Sequence, residues 1–241
     1  MAGDLRPRPN QRDRLILDAD GSPVTPELIL TAYRQRCFPM ADSRRGRIRW
    51  YRPTLRAVIT WDRFKVPESL AKTMRRHPYR YTCDAAFAAV IAACAERSST
   101  WISGDIERLY VALHERGLAH SVEAWDSAGA LVGGLYGLTI GACFCGESMF
   151  HRADDAAKIA VVLLVERLRK QGFRVLDCQQ QTPHMERFGA HEITDDAYAA
   201  LLGDGDEALP FGPTGEWDSG PSVIREERQG MATESTKDTK N

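Results

Sequence analysis

The sequence predicts an α+β fold, because helical and strand-like patterns occupy separate stretches of the chain. Two helical patterns of apolar residues fill residues 84–117. Strand-like alternation with short turn sequences follows over residues 119–145, and a long helical pattern leads into a buried strand over residues 154–179. This order favours a mixed sheet that contains an antiparallel meander.

The N-terminal elements are predicted from capping residues and prolines. Thr25 is a good helix N-cap and Pro26 suits the first helical position, so a helix begins there. Phe38-Pro39 stops this helix, because the residue before proline disfavours helical backbone. Short strands follow over residues 50–53 and 56–61.

The later elements are predicted from periodicity and turn residues. Residues 79–83 form a strand, after which Asp84 caps a helix that runs through Arg97. A second helix begins at Ser103 and ends at Gly117. The remaining elements, in chain order, are strands over residues 119–125 and 131–138, a third strand ending at residue 145, a helix over 154–170, a strand over 174–179, and short helices over 183–188 and 194–202.

Composition divides the chain into four parts. Residues 1–23 are polar and rich in Arg, Pro and Asp, which predicts a mobile lead. Val66-Pro67 marks a boundary between a small basic N-terminal domain, residues 24–66, and a larger domain, residues 67–205. The element order of the larger domain is similar to the acetyltransferase-type sheet, which holds acyl donors in a splayed cleft. Residues 206–241 are acidic with several Gly and Pro, which predicts a disordered tail.

Composition also excludes some classes of protein. The chain lacks the run of ~20 apolar residues that a membrane span needs, and its first six residues lack the apolar core of a secretory signal. We therefore expect a cytoplasmic protein, without a membrane partner, whose six cysteines are reduced. A zinc site is an alternative for some of them, but the Cys-x-Cys spacing is tight for zinc, so we expect buried thiols and no metal. That alternative site would use Cys143, Cys145, Cys178 and His151.

Charge is strongly segregated along the chain. Residues 34–80 carry 14 Lys or Arg and three Asp or Glu, although the net charge of the whole chain is −1. A basic surface attracts polyanions, and arginine binds phosphate oxygens with two parallel hydrogen bonds. Trp50 and Tyr51 lie among these arginines and offer rings on which bases stack, unless they belong to the core of a solvated loop. The candidate nucleic-acid contacts are Arg44, Arg45, Arg47, Arg49 and Arg76.

Three polar clusters interrupt apolar stretches. Glu147 lies among Cys, Met and Phe residues, where a carboxylate is expensive to bury unless it has partners. Asp177 and Gln179 end a predicted strand and, being two residues apart, share one face of it. Glu147 and Asp177 in one cleft suggest a site, whereas Asp177 alone fits a structural role equally well. Trp101, just before a helix, fits a ligand contact or the core. Three histidines are further possible bases: His120, His151 and His184.

An ordered series of short motifs gives a more specific indication. The motifs are Phe38-Pro39-Met40, Trp50-Tyr51-x-Pro53-x-x-Arg56, Thr100-Trp101-Ile102, residues 120–125 (HSVEAW), residues 131–137 (LVGGLYG), Phe144 to Phe150, Asp177-Cys178-Gln179, His184 and Phe188-Gly189-Ala190. Together they resemble the leucyl/phenylalanyl-tRNA–protein transferases of bacteria. The resemblance covers residues 26–202, about three quarters of the chain.

The resemblance implies a cytosolic aminoacyltransferase of the N-degron pathway. Such enzymes move Leu or Phe from its tRNA to a protein whose N-terminal residue is Arg or Lys. It implies a small N-terminal domain followed by an acetyltransferase-like domain, with no metal or diffusible cofactor. The partners expected are Leu-tRNA, Phe-tRNA and acceptor proteins, and we expect a monomer.

Roles for individual residues also follow from the resemblance. The family's reacting pair matches Asp177 and Gln179, and the Glu that helps to hold the reacting groups matches Glu147. Trp50 and Trp101 match residues that seat the aminoacyl-adenosine end. Because the donor side chains, Leu and Phe, are apolar, we also expect an apolar pocket that accommodates both of them. Its expected walls are Phe144, Met149, Phe150 and Leu164, and the basic segment is expected to hold the tRNA backbone.

The chain departs from the family pattern at four places. Arg36 stands where the family has Gly, and Arg52 stands where Ser precedes the Pro. Ala157 replaces a Ser, and Phe188 replaces a Leu. These positions lie outside the Glu147, Asp177 and Gln179 set, so they bear on the acceptor and the tRNA rather than on the reaction.

Two functions of other classes stay open at this point. One is an N-acetyltransferase that uses acetyl-CoA, although the chain has no glycine-rich pyrophosphate loop of the usual kind. The other is a non-catalytic RNA-binding module, against which the retained Glu147, Asp177 and Gln179 argue.

Overall fold

The computed structural model of the chain describes residues 15–76, 79–203, 208–212 and 214–216. Its helices are α1 (Pro26–Arg34), α2 (Glu68–Met74), α3 (Phe87–Ala95), α4 (Gly104–Glu115), α5 (Ala156–Lys170), α6 (Pro183–Glu186) and α7 (Asp195–Leu202). Its strands are β1 (Phe38–Ala41), β2 (Ile48–Tyr51), β3 (Leu55–Thr60), β4 (Arg80–Cys83), β5 (Ala119–Trp125), β6 (Leu131–Ile140), β7 (Cys143–His151), β8 (Val175–Gln179), β9 (His191–Thr194) and β10 (Gly215–Glu216).

Eight of the described strands form one mixed sheet in the order β10-β4-β5-β6-β7-β8-β3-β9. Every neighbouring pair is antiparallel except β7 and β8, which are parallel and joined through α5. A parallel pair needs such a crossover, usually a helix, whereas the β4–β7 strands form an antiparallel run. The α+β fold predicted from the sequence is confirmed.

Helices cover both faces of this sheet and enclose two apolar cores. The first core lies under α1, α3, α4 and α7 and includes Tyr33, Tyr110, Tyr136 and Tyr198. The second lies mainly under α5, whose apolar residues are almost all buried, and includes Phe144 and Leu176. Burial of this much apolar surface is the main force that holds the layers together.

Two irregularities shape the middle of the sheet. The β6–β7 register pairs Tyr136 with Ser148 and Gly137 with Gly146, so Glu147 is the extra residue of a β-bulge. A bulge bends its strand and re-aims a side chain. In addition, β7 pairs with β8 only over Cys143–Cys145, although β7 continues to His151. The two parallel strands therefore separate beyond Cys145, and a cleft opens between them.

The predicted caps are confirmed at two helices and wrong at a third. Thr25 accepts a hydrogen bond from the Leu28 amide, and Ser103 accepts one from the Ile106 amide. Asp84 does not cap α3, which begins at Phe87 without a side-chain cap. Instead Asp84 has a left-handed backbone (φ 57°) and accepts from the Ser121 amide, because the chain turns sharply between β4 and α3.

The structure differs from the sequence analysis at the ends of the predicted parts. Residues 1–14 of the lead lie outside the described residues, whereas residues 17–18 pair with residues 23 and 48. Strand β3, assigned to the small domain, is built into the large sheet between β8 and β9. Residues 208–216, assigned to the tail, include β10, which pairs with β4, and Phe211, which is buried against Phe144.

Gly189 shows how tightly the chain packs beside the cleft. Its φ is +94°, and a Cβ at this position would lie 1.9 Å from the Arg63 carbonyl oxygen. Gly129 also has a positive φ, +79°, but a Cβ there would meet nothing within 4 Å. A side chain at Gly129 would therefore add backbone strain alone, whereas a side chain at Gly189 would add both backbone strain and steric overlap.

We expect Gly189→Ala to lower the melting temperature more than Gly129→Ala does. The control variant carries only the cost of a left-handed alanine, about 1 kcal/mol, whereas Gly189→Ala must also displace backbone. Since about 1 kcal/mol shifts the melting temperature of a chain of this size by roughly 2–4 °C, calorimetry resolves the difference. Equal shifts for the two variants would contradict the packing described for Gly189.

Candidate active site

Asp177, on β8, is fully buried and accepts hydrogen bonds from three groups. The Arg56 guanidinium donates through Nε (3.0 Å to both oxygens) and through Nη2 (2.7 Å to Oδ2). The Tyr198 hydroxyl donates to Oδ2 at 2.7 Å, and the Gln179 amide donates to Oδ1 at 2.7 Å. Burial of a carboxylate is costly unless it is paired in this way, so these partners make the position of Asp177 possible.

Gln179 ends β8 in a left-handed conformation, with φ at 61°. Non-glycine residues rarely adopt this backbone, and the hydrogen bond from the Gln179 amide to Asp177 holds it in place. Its side-chain Nε2 donates to Glu147 Oε1 at 2.7 Å. The strained backbone thus turns the Gln179 amide group away from the strand and towards β7.

Glu147 projects from the β7 bulge into a buried cluster of hydroxyl groups. Its Oε1 accepts from the Tyr33 hydroxyl at 2.6 Å as well as from Gln179. The Tyr33 and Tyr110 hydroxyl oxygens lie 2.6 Å apart and hydrogen-bond to each other, and a hydrogen bond with Tyr110 also acts on Glu147. Burial raises the pKa of Glu147 to about 7, an effect to which the Asp177 charge adds and which the Tyr33 hydrogen bond opposes.

A cleft of about 360 Å³ lies against this cluster, where β7 and β8 separate. Glu147 and Asp177 contribute to its lining, which is otherwise mainly apolar. The apolar and aromatic lining residues are Trp101, Leu135, Tyr136, Met149, Val161, Leu164, Leu176 and Met185. A mainly apolar cavity with a few polar groups is the usual form of a small-ligand site.

The structure brings three of the six predicted substrate-binding residues to this cleft: Trp101, Met149 and Leu164. Phe144 is fully buried in the core under α5, and Phe150 is buried in the core on the opposite face. Neither lines the cleft. Trp50 lies on β2 and donates to Asp18 Oδ2 at 3.3 Å. The bulge at Glu147 explains part of this result, because it reverses which face the residues after it occupy.

The three candidate histidine bases lie in different places. His120 is paired with Asp84 at 2.8 Å and stacked on Phe211, so it is outside the cleft lining. His151 lines a neighbouring pocket. His184 lines both the cleft and that pocket, and burial, together with the charge of Lys158, lowers its pKa. Among the three, only His184 reaches the cleft.

Four of the predicted tRNA-contacting arginines belong to the β1–β2 hairpin. Arg44, Arg45, Arg47 and Arg49 are all exposed. Arg49 pairs with Asp42 at 2.8 Å, and Arg44 donates to the Ala95 carbonyl at 3.0 Å. Arg76 is exposed just after α2. The exposed side chains of these hairpin arginines are accessible to a polyanion, and Arg45 and Arg47 have neither of these two contacts.

The residues of the alternative zinc site do not come together. Cys143 and Cys145 lie on the face that contains Tyr198, with their Sγ atoms 3.9 Å apart, while Cys178 packs against the opposite core. His151 is exposed at the end of β7. The one group of possible ligands among the described residues is Cys143, Cys145 and Asp177, in which the Arg56 guanidinium already balances the carboxylate charge.

Sequence reasoning missed several residues of the site. Arg56 was noted only as part of a motif, and Tyr33, Tyr110 and Tyr198 were given no role. A signal existed for Arg56, because a charged residue in an otherwise apolar strand needs a buried partner of opposite charge. The tyrosines carried no such signal, since they also fit the apolar faces of α1, α4 and α7.

Arg36 and Arg52, two of the positions at which the sequence analysis expects a departure from the family pattern, meet at one residue of the structure. Arg36 Nε and Arg52 Nη2 each lie 2.7 Å from a carboxylate oxygen of Asp195, the first residue of α7. Arg36 has a left-handed backbone, with φ at 65°, and its carbonyl accepts from Arg56 Nη1 at 3.2 Å. Of these three charged residues, Arg36 thus contacts Arg56 of the Arg56–Asp177 pair, through its backbone carbonyl.

The fold and the site define an α+β protein in which buried carboxylate and amide groups close one end of an apolar cleft. A comparison of the sequence with models of known protein families identifies the family. The model described as "Leucyl/phenylalanyl-tRNA protein transferase" matches residues 58–203, and the model of the N-terminal domain of the same family matches residues 23–54. The chain belongs to the leucyl/phenylalanyl-tRNA–protein transferase family and is an aminoacyltransferase.

Individual relatives give the same result. The leucyl/phenylalanyl-tRNA–protein transferase of Rubrobacter xylanophilus is 51% identical over 179 residues, which cover 74% of this chain and 93% of that protein. Those of Akkermansia muciniphila and Paramagnetospirillum magneticum are 49% and 50% identical. The matches cover 74% and 76% of this chain, and 94% and 89% of the relatives.

The raised pKa of Glu147 predicts that the stability of the folded protein depends on pH. Its pKa is about 7 in the folded protein and ~4.3 in an unfolded chain, so the folded state holds more protons between these values. The favourable contribution of Glu147 protonation to the free energy of unfolding is complete below about pH 4.3 and is lost as pH rises through about 7. We expect Glu147→Gln, which cannot titrate, to make the melting temperature less dependent on pH between pH 5 and 8.

Calorimetry at several pH values checks this expectation. Glu68→Gln is the control, because Glu68 is exposed on α2, where its ion pair with Lys72 is open to solvent. That variant is expected to keep the pH dependence of the wild type. The same slope for wild type and Glu147→Gln would contradict the assignment.

Proposed function

We propose that this protein transfers Leu or Phe from aminoacyl-tRNA to the α-amine of proteins that begin with Arg or Lys, and thereby marks them for degradation. The observation that carries the proposal is the buried Glu147–Gln179–Asp177 cluster at an apolar cleft, in a chain that belongs to this family. Aminoacyl-tRNA is made and used in the cytoplasm, so the proposed reaction places the protein there.

The reaction needs positioning more than activation. The ester that joins the amino acid to the terminal ribose is already reactive. The acceptor ammonium has a pKa of ~7.7–8.0 and loses one proton to become a nucleophile at neutral pH. The amine nitrogen then bonds to the ester carbonyl carbon, the C–O bond to the ribose breaks, and the ribose oxygen leaves with the second proton of the amine. Alignment of the two reactants can supply ~7–11 kcal/mol of the barrier.

The hydrogen bonds of the site suggest how the three polar residues share this task. Because Gln179 donates through Nε2 to Glu147, its amide oxygen is the group left to accept from the attacking amine. Asp177 has both oxygens engaged with Arg56, Tyr198 and the Gln179 amide. Asp177 therefore acts through Gln179, by holding its left-handed backbone. Glu147, with a pKa of about 7, supplies negative charge for the ammonium and for the cationic acceptor residue.

The apolar lining of the cleft suits the donor side chain. Met149, Leu164 and Leu176 are unbranched at Cβ and adaptable, so they accommodate both Leu and Phe. Trp101 offers a flat face for the aminoacyl-adenosine end. Two further features are part of the proposal. The separation of β7 from β8 supports an acetyltransferase-like sheet. The hairpin arginines support a small basic N-terminal domain that holds the tRNA backbone, and because β3 belongs to the large sheet, this domain ends before Leu55.

The activity itself is the first expected outcome. The purified protein should add Leu or Phe, with the corresponding gain in mass, to a peptide that begins with Arg when it is given Leu-tRNA or Phe-tRNA. A peptide with an acetylated N-terminus is the control, because it has no nucleophilic amine. No mass gain from a folded sample would contradict the proposal, and transfer from acetyl-CoA instead would favour the N-acetyltransferase alternative.

The hairpin arginines predict a salt effect. If Arg45 and Arg47 contact tRNA phosphates, the affinity for tRNA should fall with salt, and Arg45→Ala with Arg47→Ala should reduce the log–log slope by about 1–2. Binding titrations between 50 and 200 mM salt, a range in which several phosphate contacts are resolved, measure this slope.

A matched control uses two exposed arginines outside the basic segment. Arg116, at the end of α4, and Arg169, on α5, pair with Glu27 and Glu166, and their double alanine variant should keep the wild-type slope. The hairpin would be only a solvated surface if both double variants showed the same salt dependence.

A further inference from the structure

Tyr136, on β6, is a buried tyrosine whose hydroxyl has no role in the fold. The residue is fully buried, and its Oη has no hydrogen-bond partner among the described residues. Its ring packs edge-on against Phe87 and Tyr110, with centroids 5.8 and 5.6 Å away. A phenylalanine would make the same ring contacts, and an unpaired buried hydroxyl destabilises the folded state. The structure thus keeps a polar group that folding alone disfavours.

The other buried tyrosines of the described chain show the contrast. Tyr33 and Tyr110 bond to each other and lead to Glu147. Tyr198 donates to Asp177 at 2.7 Å, and Tyr81 donates to the Ala156 carbonyl at 3.0 Å. Among the buried tyrosines that the structure describes, Tyr136 alone has an unpaired hydroxyl.

The place of Tyr136 connects it with the reaction. It lines the same cleft as Glu147 and Trp101. It is also the residue of β6 at which the register shifts to accommodate the Glu147 bulge, and its cross-strand partner is Ser148. Tyr136 and Glu147 belong to the same side of the sheet, under α1 and α4. A group bound against Glu147 therefore lies next to Tyr136.

The proposed reaction at this end of the cleft requires a hydrogen-bond donor in addition to acceptors. Glu147 and the amide oxygen of Gln179 are acceptors, which suit an amine. The carbonyl oxygen of an ester gains negative charge when the amine attacks, so it requires a donor. Burial and the Glu147 charge keep the pKa of Tyr136 well above its ordinary value, and its hydroxyl stays protonated.

We propose that the Tyr136 hydroxyl donates a hydrogen bond to the carbonyl oxygen of the aminoacyl ester as the amine attacks. This inference rests on the proposed function and adds a catalytic residue to it. The attack then occurs between two sets of groups, with acceptors on the side of the amine and one phenol donor on the side of the carbonyl.

The test compares two single-atom deletions, Tyr136→Phe and Tyr81→Phe. We expect Tyr136→Phe to lower kcat for transfer of Phe from Phe-tRNA to an Arg-initiated peptide by about tenfold or more, as loss of an oxyanion donor does. Its melting temperature should equal or exceed that of the wild type, because the unpaired hydroxyl is gone. Tyr81→Phe should do the reverse, with full kcat and a lower melting temperature, since it loses a structural hydrogen bond between two residues that are not part of the cleft lining.

Three results decide the matter. A Tyr136→Phe variant whose kcat stays within twofold of the wild type would overturn the inference. A variant that loses activity only in proportion to a lower melting temperature would assign the hydroxyl a structural role and overturn it as well. No transfer by the wild type would overturn the proposed function, and the inference with it.

Discussion

The buried ion pair between Arg56 and Asp177 is the interaction on which the rest of the site depends. Arg56 is 2% exposed and Asp177 is fully buried, so neither charge has water to solvate it. Loss of either partner would leave an uncompensated buried charge, which typically costs 3–5 kcal/mol. The Arg56 guanidinium also lies over the rings of Phe38 and Tyr198, at 4.9 and 4.7 Å from their centroids. One side chain of β3 thereby joins β1, β8 and α7.

The pair also explains why the site tolerates its strained geometry. Gln179 leaves β8 with a left-handed backbone, which costs of order 1–3 kcal/mol and persists only where the surroundings enforce it. Asp177 enforces it by accepting the Gln179 amide hydrogen, and Asp177 is itself fixed by Arg56 and Tyr198. The side-chain amide of Gln179 is therefore oriented by a chain of contacts that begins in the core, and not by the loop that follows the strand.

Much of the fold was accessible from the sequence, because local signals and packing agree there. Thr25 and Ser103 cap their helices as capping preference requires, and β5 runs over Ala119–Trp125 as its alternation predicts. The failures are tertiary in origin. Asp84 is a good cap residue locally, but the turn into α3 uses its carboxylate for the Ser121 amide. β10 has too few apolar residues to be recognised, and it forms because β4 offers a free edge.

The site was predictable only in part, for a related reason. Glu147, Asp177 and Gln179 stand out as polar residues in apolar stretches, and the structure joins them through hydrogen bonds. Phe144 and Phe150 have the composition expected of a binding pocket, yet they lie in the two cores on opposite faces of the sheet. One inserted residue at the bulge decides this, and nothing in the alternation of residues 143–151 locates a bulge in advance. The part that Arg56, Tyr33, Tyr110 and Tyr198 play in the site can be inferred only from their contacts in the three-dimensional structure.

The contacts of Asp195 have a consequence for how substitutions at three positions combine. Arg36 and Arg52 are 16 residues apart in the sequence, but both pair with the same carboxylate. Loss of both arginines would leave Asp195 with neither of these cations, and loss of Asp195 would leave Arg36 and Arg52 without the carboxylate that they share. The three positions therefore form one electrostatic unit in this chain. A substitution at any of them is best interpreted together with the other two, because it changes the charge balance that they share.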